Sequence, residues 1–499
     1  MLVALVATVL AVWQVGRGGA WRPAFLFDEQ WRVDFIRSAD VPHEMLTHDT
    51  PIPYGWVLLM KPVTAVVPFE PFWWRALAAA AMVVGLLLLA VLLVRVGRRG
   101  RRPLPLFVGG AAAAALVFLG PVHSYLTYFN NYGFEVLYVA LTVLAAEALD
   151  RARWALPALC ALVALAPLFV LGGLMVLPGV TACAVWWAWR SVARVRHLLA
   201  LAASGVVATG LLAVVYVQLY RPVSAKPSIG RYWVELGSSL GGRQDLLDLL
   251  GKLAVQLRDA AVGQQAAEAG GPVLMAATLV VATGAVVGAV SVWRRWPWLL
   301  VIAVSAQAVA VLASATTRWP MTVERVNLSF QLLLLATVLF GVAEGVSRIA
   351  RPRWVAVPVL VALTSGLWFR HEVPSPTVFG RGLWSDLALV AASTAEHNLV
   401  VQYHPLAHFY AHDELVNTTH PGHTFHVVAE GQGELGLRTS IDAVIAREHL
   451  APGDLLWCVL PFEIGPAGTA EACRFHDPRL LRVVDRRGRG STVRAYVVR

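Results

Sequence analysis

Apolar runs, each close to the length that crosses a bilayer, recur from the start of the chain to about residue 370 and then stop. Crossing about 30 Å of hydrocarbon takes roughly 20 helical residues, and only helices or closed barrels satisfy their backbone there. The pattern therefore predicts an α-helical polytopic membrane protein with about eleven transmembrane helices, over 1–370, and a separate soluble region over 371–499. The predicted spans are 2–16, 72–94, 104–120, 133–149, 154–169, 171–189, 198–219, 272–292, 297–314, 327–346 and 354–369. Composition agrees: 14% of residues are charged, against roughly a quarter in ordinary soluble domains. No basic residue precedes 2–16, which favours a retained first helix over a cleaved signal. Tyr54–Pro68 is apolar, but prolines bracket it and Lys61–Pro62 interrupts it, so it reads as a helix at the membrane interface.

The net charge of +10 could suggest a nucleic-acid partner, but its distribution argues against one. Arginines cluster at 95–102, 151–153, 190–196, 294–295 and 348–353, on every second connection between predicted spans. Cytoplasmic loops carry such an excess. The alternation places the N-terminus in the cytoplasm of a plasma-membrane protein. The loop 17–53, the turn 121–132, the loop 220–270, the turn 316–326 and everything after 370 then lie outside.

The outer region reads as a small α/β domain. NLVVQYH and DLLWCVLPF look like buried strands, TSIDAVIAREHL like an amphipathic helix, and LRVVDRRGRGSTVRAYVVR like a hairpin turning at Gly488–Gly490. Cys458 and Cys473 could pair there, whereas Cys160 and Cys183 fall in spans and read as packing residues. His404, His408 and His412 repeat every four residues, a spacing that can bind zinc, but Pro405 interrupts them and a polar helix is the preferred reading. His420, His423 and His426 follow in a segment that reads as irregular. Asn417-Thr418-Thr419 matches a glycosylation sequon by pattern alone.

Polar chemistry gathers on the outer side. The loop 17–53 holds Asp28 and Glu29, then His48, Asp49 and a Pro-Ile-Pro run; acids in a helix's first turn would also suit its macrodipole. HSYLTYFNNYGFE crowds Tyr125, Tyr128, Asn130, Asn131, Tyr132 and Glu135 into one turn. An interfacial belt explains the tyrosines, but a carboxylate entering a span usually faces a cavity. The turn TTRWPMTVERV brings Arg318 and Arg325, whose planar forks suit a phosphate, although Arg325 could equally pair with Glu324. In the 220–270 loop a leucine-rich amphipathic stretch follows Tyr232 and Trp233, which could stack on a sugar.

An acidic loop, a Pro-x-Pro run, a Tyr-rich second outer turn, then Trp-Pro and an arginine heading a late span: this order resembles the GT-C class of membrane glycosyltransferases. It is most similar to bacterial relatives of the dolichyl-phosphate-mannose protein mannosyltransferases. The resemblance implies that Asp28, or Glu29 beside it, is the catalytic carboxylate. It matches His48-Asp49-Thr50-Pro51-Ile52-Pro53 to the Pro-rich stretch and Arg325 to the phosphate arginine, helped by Arg318 and His48. Tyr132 and Glu135 would complete the substrate site. The donor would be a polyprenyl-phosphate-linked sugar and the acceptor an envelope glycan, lipid or protein, with no nucleic acid involved. No cofactor is required if arginines neutralise the phosphate, although a divalent metal could serve. The alternatives are a lipid-linked-sugar transporter, which would carry ionisable groups near the midplane, and a ligase moving a whole glycan from a lipid diphosphate.

Overall fold

A computed structural model describes residues 27–47, 52–68, 71–99, 106–117, 128–224, 251–255, 271–315, 324–349, 397–402, 424–429, 451–461, 479–487 and 491–499, with isolated positions between them. Two compact units divide the chain: Met1–Arg17 with Arg32–Glu372, and Gly18–Trp31 with Val373–Arg499.

The first unit is helical. Helix α1 (Phe27–Arg37) belongs to it from Arg32 onward, and short helices α2 (Val41–Thr47) and α3 (Tyr54–Val66) precede α4 (Pro71–Arg98), α5 (Leu106–Val117), α6 (Tyr132–Ala148) and α7 (Ala155–Phe169). A 3-10 turn, Gly172–Val176, leads into α8 (Leu177–Arg190) and α9 (Arg194–Val215), followed by a π-helical turn, Tyr216–Tyr220. After the long loop come α10 (Gly271–Arg295), α11 (Pro297–Ala315) and α12 (Glu324–Ile349).

Six helical stretches among the described residues are long and apolar enough to cross a membrane: Phe72–Arg98, Gly172–Arg190, Arg194–Val223, Leu274–Arg295, Pro297–Ser314 and Asn327–Ile349. Val108–Val117 and Ala155–Phe169 are apolar but shorter. The predicted spans 2–16 and 354–369 lie outside the described residues. α3 has 13 residues, too few to cross, and stays helical through Pro62 while Lys61 Nζ donates to the Ser38 carbonyl at 2.6 Å.

Small residues let the helices approach closely, as packing inside lipid requires. Where α10 crosses α12, a Cβ on Gly288 would overlap the Thr337 carbonyl, and one on Gly341 would overlap that of Gly284. At the start of α6 a Cβ on Gly133 would come within 2.5 Å of the Ala78 carbonyl of α4.

Arginines from four of the five clusters meet at one end of this bundle. Glu147, fully buried near the end of α6, pairs with Arg99 at 2.9 Å, Arg95 at 3.4 Å and Arg151 one turn on. Glu344, also fully buried, pairs with Arg348 and with Arg295 at 3.7 Å, and accepts from Ser291 Oγ. Arg99 also lies 5.6 Å over the Trp296 ring, joining the two clusters. The arginines that mark topology in the sequence thus also neutralise buried carboxylates.

The second unit holds a five-stranded sheet of order β2-β1-β3-β5-β4, from β1 (His397–Gln402), β2 (Thr424–Ala429), β3 (Leu455–Pro461), β4 (Leu480–Arg487) and β5 (Ser491–Val498). β1 pairs in parallel with β2 and β3, while β5 pairs antiparallel with β3 and β4. Parallel neighbours require long crossovers. Strands read from NLVVQYH and DLLWCVLPF are β1 and β3, and the terminal hairpin is β4–β5. His426, read as irregular, stands in β2, because TFHVVA alternates too weakly to announce a strand between two histidine-rich stretches. Cys458 is disulfide-bonded and Cys160 and Cys183 are free; Cys473 and the helix read over 439–450 lie outside the described residues.

Candidate active site

The end of the bundle opposite the arginine clusters is held by a chain of neutral hydrogen bonds around Glu135. The turn before α6 is shaped by Asn130, whose Oδ1 accepts the Tyr132 backbone N–H at 2.8 Å and whose Nδ2 donates to the Tyr128 carbonyl at 2.9 Å. That turn aims Asn131 down the helix axis, where its Nδ2 donates to Glu135 Oε1 at 2.8 Å across one turn. The other carboxylate oxygen accepts the Gly173 N–H at 3.1 Å and a longer contact from Ser329 Oγ at 3.5 Å. The amides of Leu171 and Gly172 face the same carboxylate. Glu135 is buried, yet it pairs with no cation among the described residues. A buried carboxylate needs such donors to compensate its lost hydration.

Asn131 also reaches the first loop. Its Oδ1 accepts from Arg32 Nε at 3.2 Å, and Arg32 Nη2 donates to the Tyr132 hydroxyl at 3.3 Å with the guanidinium 5.4 Å from that ring's centroid. Arg32 sits on α1 and is 6% exposed. A path of direct contacts therefore runs from α1, through the α6 entry turn, to the 3-10 turn and to α12. Phe129 seals the turn, with Trp74 at 5.2 Å and Trp56 at 5.7 Å, and Phe134 packs on Trp56 at 6.0 Å. Ile52 of the Pro-Ile-Pro run is buried, and its carbonyl accepts from the Tyr220 hydroxyl at 3.2 Å.

Of the residues singled out in the sequence, Asn130, Asn131, Tyr132 and Glu135 come together in this network. Glu29 is buried in the first turn of α1, three residues before Arg32; Asp28 precedes it in the same turn. Arg325 lies in the first turn of α12, one turn before Ser329. Arg318, His48 and Asp49 lie outside the described residues, as do Tyr232, Trp233 and His404, His408 and His412. Arg32, Gly173 and Ser329 were missed by sequence reasoning. The one local signal was Arg32 itself, a cation one turn after an acidic pair.

This arrangement occurs on a known fold. The crystal structure of ArnT from Cupriavidus metallidurans bound to undecaprenyl phosphate matches over 99% of this chain and 96% of its own, with TM-score 0.50 and 14% identity. The same protein's crystal structure in the apo state matches over 99% and 97%, with TM-score 0.41 and 15% identity. No family model matches the chain, and no curated protein matches it in sequence. ArnT is a GT-C glycosyltransferase, so the GT-C architecture expected from the sequence is the fold this chain has.

Proposed function

We propose that the chain is an outer-face glycosyltransferase that moves a sugar from a polyprenyl-phosphate donor to a hydroxyl of an envelope glycan, lipid or protein. The observation that carries the reading is a fold shared across nearly the whole chain with a protein crystallised with undecaprenyl phosphate. The Arg32–Asn131–Glu135–Ser329 path supports it by gathering hydrogen-bonding groups around Tyr132 and Glu135, two of the residues assigned to the substrate site.

In this mechanism Asp28, or Glu29, takes the proton of the acceptor hydroxyl. The hydroxyl oxygen attacks the anomeric carbon as the bond from that carbon to the donor's phosphate oxygen breaks. The electron pair leaves with the polyprenyl phosphate, whose added negative charge Arg325 stabilises, helped by Arg318 and His48. Tyr132, Glu135 and Asp49 shape the substrate side. No cofactor is needed when arginines carry the phosphate charge, and a divalent metal is the alternative carrier. The chain would sit in the plasma membrane with its N-terminus cytoplasmic and the residues after 370 outside, and the disulfide at Cys458 supports that side.

The test is sugar transfer from radiolabelled polyprenyl-phosphate sugars in membranes, comparing wild type with Asp28→Asn, Glu29→Gln and Arg325→Ala. Transfer should fall on the order of a hundredfold or more in the arginine variant and in one acid variant, at normal expression. A wild type that transfers from no donor yet carries lipid-linked sugar across vesicles would make the chain a transporter. Transfer surviving all three changes would leave the enzyme and remove this site.

A further inference from the structure

We infer that the arginine end carries a binding site for the phosphate of an anionic phospholipid, built from two tryptophan-stacked arginines where α8 turns into α9. The Arg190 guanidinium carbon lies 4.0 Å from the centroid of the Trp186 ring, and that of Arg194 lies 4.8 Å from Trp189. Arg190 closes α8 and Arg194 opens α9, with Ser191, Val192 and Ala193 between them. That connection is fixed. Ser191 Oγ lies 2.8 Å from both the Ala188 carbonyl and His197 Nδ1, and the His197 ring stacks on Trp187 at 4.8 Å. α8 leaves the 3-10 turn whose Gly173 holds Glu135, so its far end lies with the other arginine clusters.

What separates these two arginines from their neighbours is what they touch. Arg95, Arg99 and Arg151 are committed to Glu147, and Arg295 and Arg348 to Glu344. Among the described residues, Arg190 and Arg194 contact only indole faces. Stacking restrains a guanidinium and uses its face, leaving the in-plane N–H fork to receive a phosphate through paired hydrogen bonds. Residues 186–197 add Arg196 and contain no acid. Trp189 is 60% exposed, Trp186 and Val195 are exposed, and Val192 projects fully. Exposed indoles and valines among arginines at the ends of spans match the headgroup layer, apolar on one side and anionic on the other. A soluble acidic protein would match the charge but leave those apolar groups unused. The site does not depend on the proposed sugar transfer.

The experiment is native mass spectrometry of the purified full chain titrated with phosphatidylglycerol or phosphatidylcholine. Wild type should retain phosphatidylglycerol in preference, and Arg190→Gln with Arg194→Gln should weaken that retention about tenfold or more, while phosphatidylcholine is unchanged. Arg98→Gln, removing an exposed arginine of the same end, should retain wild-type preference. If the double glutamine variant fails to accumulate, Arg190→Lys with Arg194→Lys keeps the charge without the planar fork and should lose part of the preference. Equal retention of both lipids by wild type would overturn the site, and so would unchanged preference in the double variants.

Discussion

Helix α6 carries a buried carboxylate at each end, and the two are solved in opposite ways. Glu147 is surrounded by charge: Arg95 of α4, Arg99 just past the end of that helix and Arg151 in the turn after α6 converge on it. Glu135, three turns away, is surrounded by neutral donors, namely the Asn131 amide, the Gly173 N–H and the Ser329 hydroxyl. Arg32 reaches Asn131 and the Tyr132 hydroxyl. A charge clamp ties helices together strongly by committing the carboxylate to the arginines around it. A neutral cage holds geometry without consuming a cation. The first end reads as a fastening and the second as a site.

The largest expected effect tests that contrast directly. Glu147→Gln leaves three arginines around a buried neutral amide and should cost about 3 kcal/mol of stability, seen as early melting in detergent. Transfer per folded molecule should stay near wild type. If stability holds and transfer is lost, the two ends have been assigned the wrong way round.

Arg32→Ala comes next. It cuts the contact between α1 and the α6 entry turn and should lower transfer by about a hundredfold through misplaced first-loop acids. The loss should fall on kcat rather than KM, and Arg32→Lys should restore part of it. A loss confined to KM would make Arg32 a substrate contact rather than a positioning residue.

The balance of these ends was half legible in the sequence. Arginines on every second connection marked helix ends that do gather together, at Glu147 and Glu344. Their partners were harder to see. Glu147 and Glu344 each have an arginine four residues on, but the arginines of α4 and α10 that join them are distant in the chain. Glu135 stood out in the sequence as a carboxylate entering a span, which usually faces a cavity, whereas it is buried among hydrogen-bond donors. Its dependence on a Gly173 amide was not legible, since a backbone N–H looks the same at every position. Asp28, Glu29 and Arg325 stand out by type and place alone, and they remain the residues whose side chains the transfer assay must decide.

Glu135→Gln should cost less, about 1 kcal/mol, because the cage around it is already neutral. Its amide nitrogen, however, would turn to face a donor. Asn131 can relieve this by rotating its Oδ1 toward the new N–H, which takes that oxygen from Arg32 Nε. The expected signature is a small change in melting with a clear loss of transfer. A melting loss as large as that of Glu147→Gln would mean that Glu135, too, is chiefly a fastening.

Arg151→Gln should give the smallest effect, and it sharpens the comparison from the other side. Arg151 is one turn beyond Glu147 and its side chain is 47% exposed, so water screens much of its attraction. The carboxylate keeps Arg99 at 2.9 Å and Arg95 at 3.4 Å after the change. An exposed pair at this helical spacing contributes less than about 1 kcal/mol, and the melting shift should be correspondingly slight at low salt and absent at high salt. A shift of several degrees that salt does not erase would show the three arginines acting as one unit. In that case the clamp at Glu147 would be as cooperative as the network at Glu135, and charge rather than cooperation would be what separates the two ends.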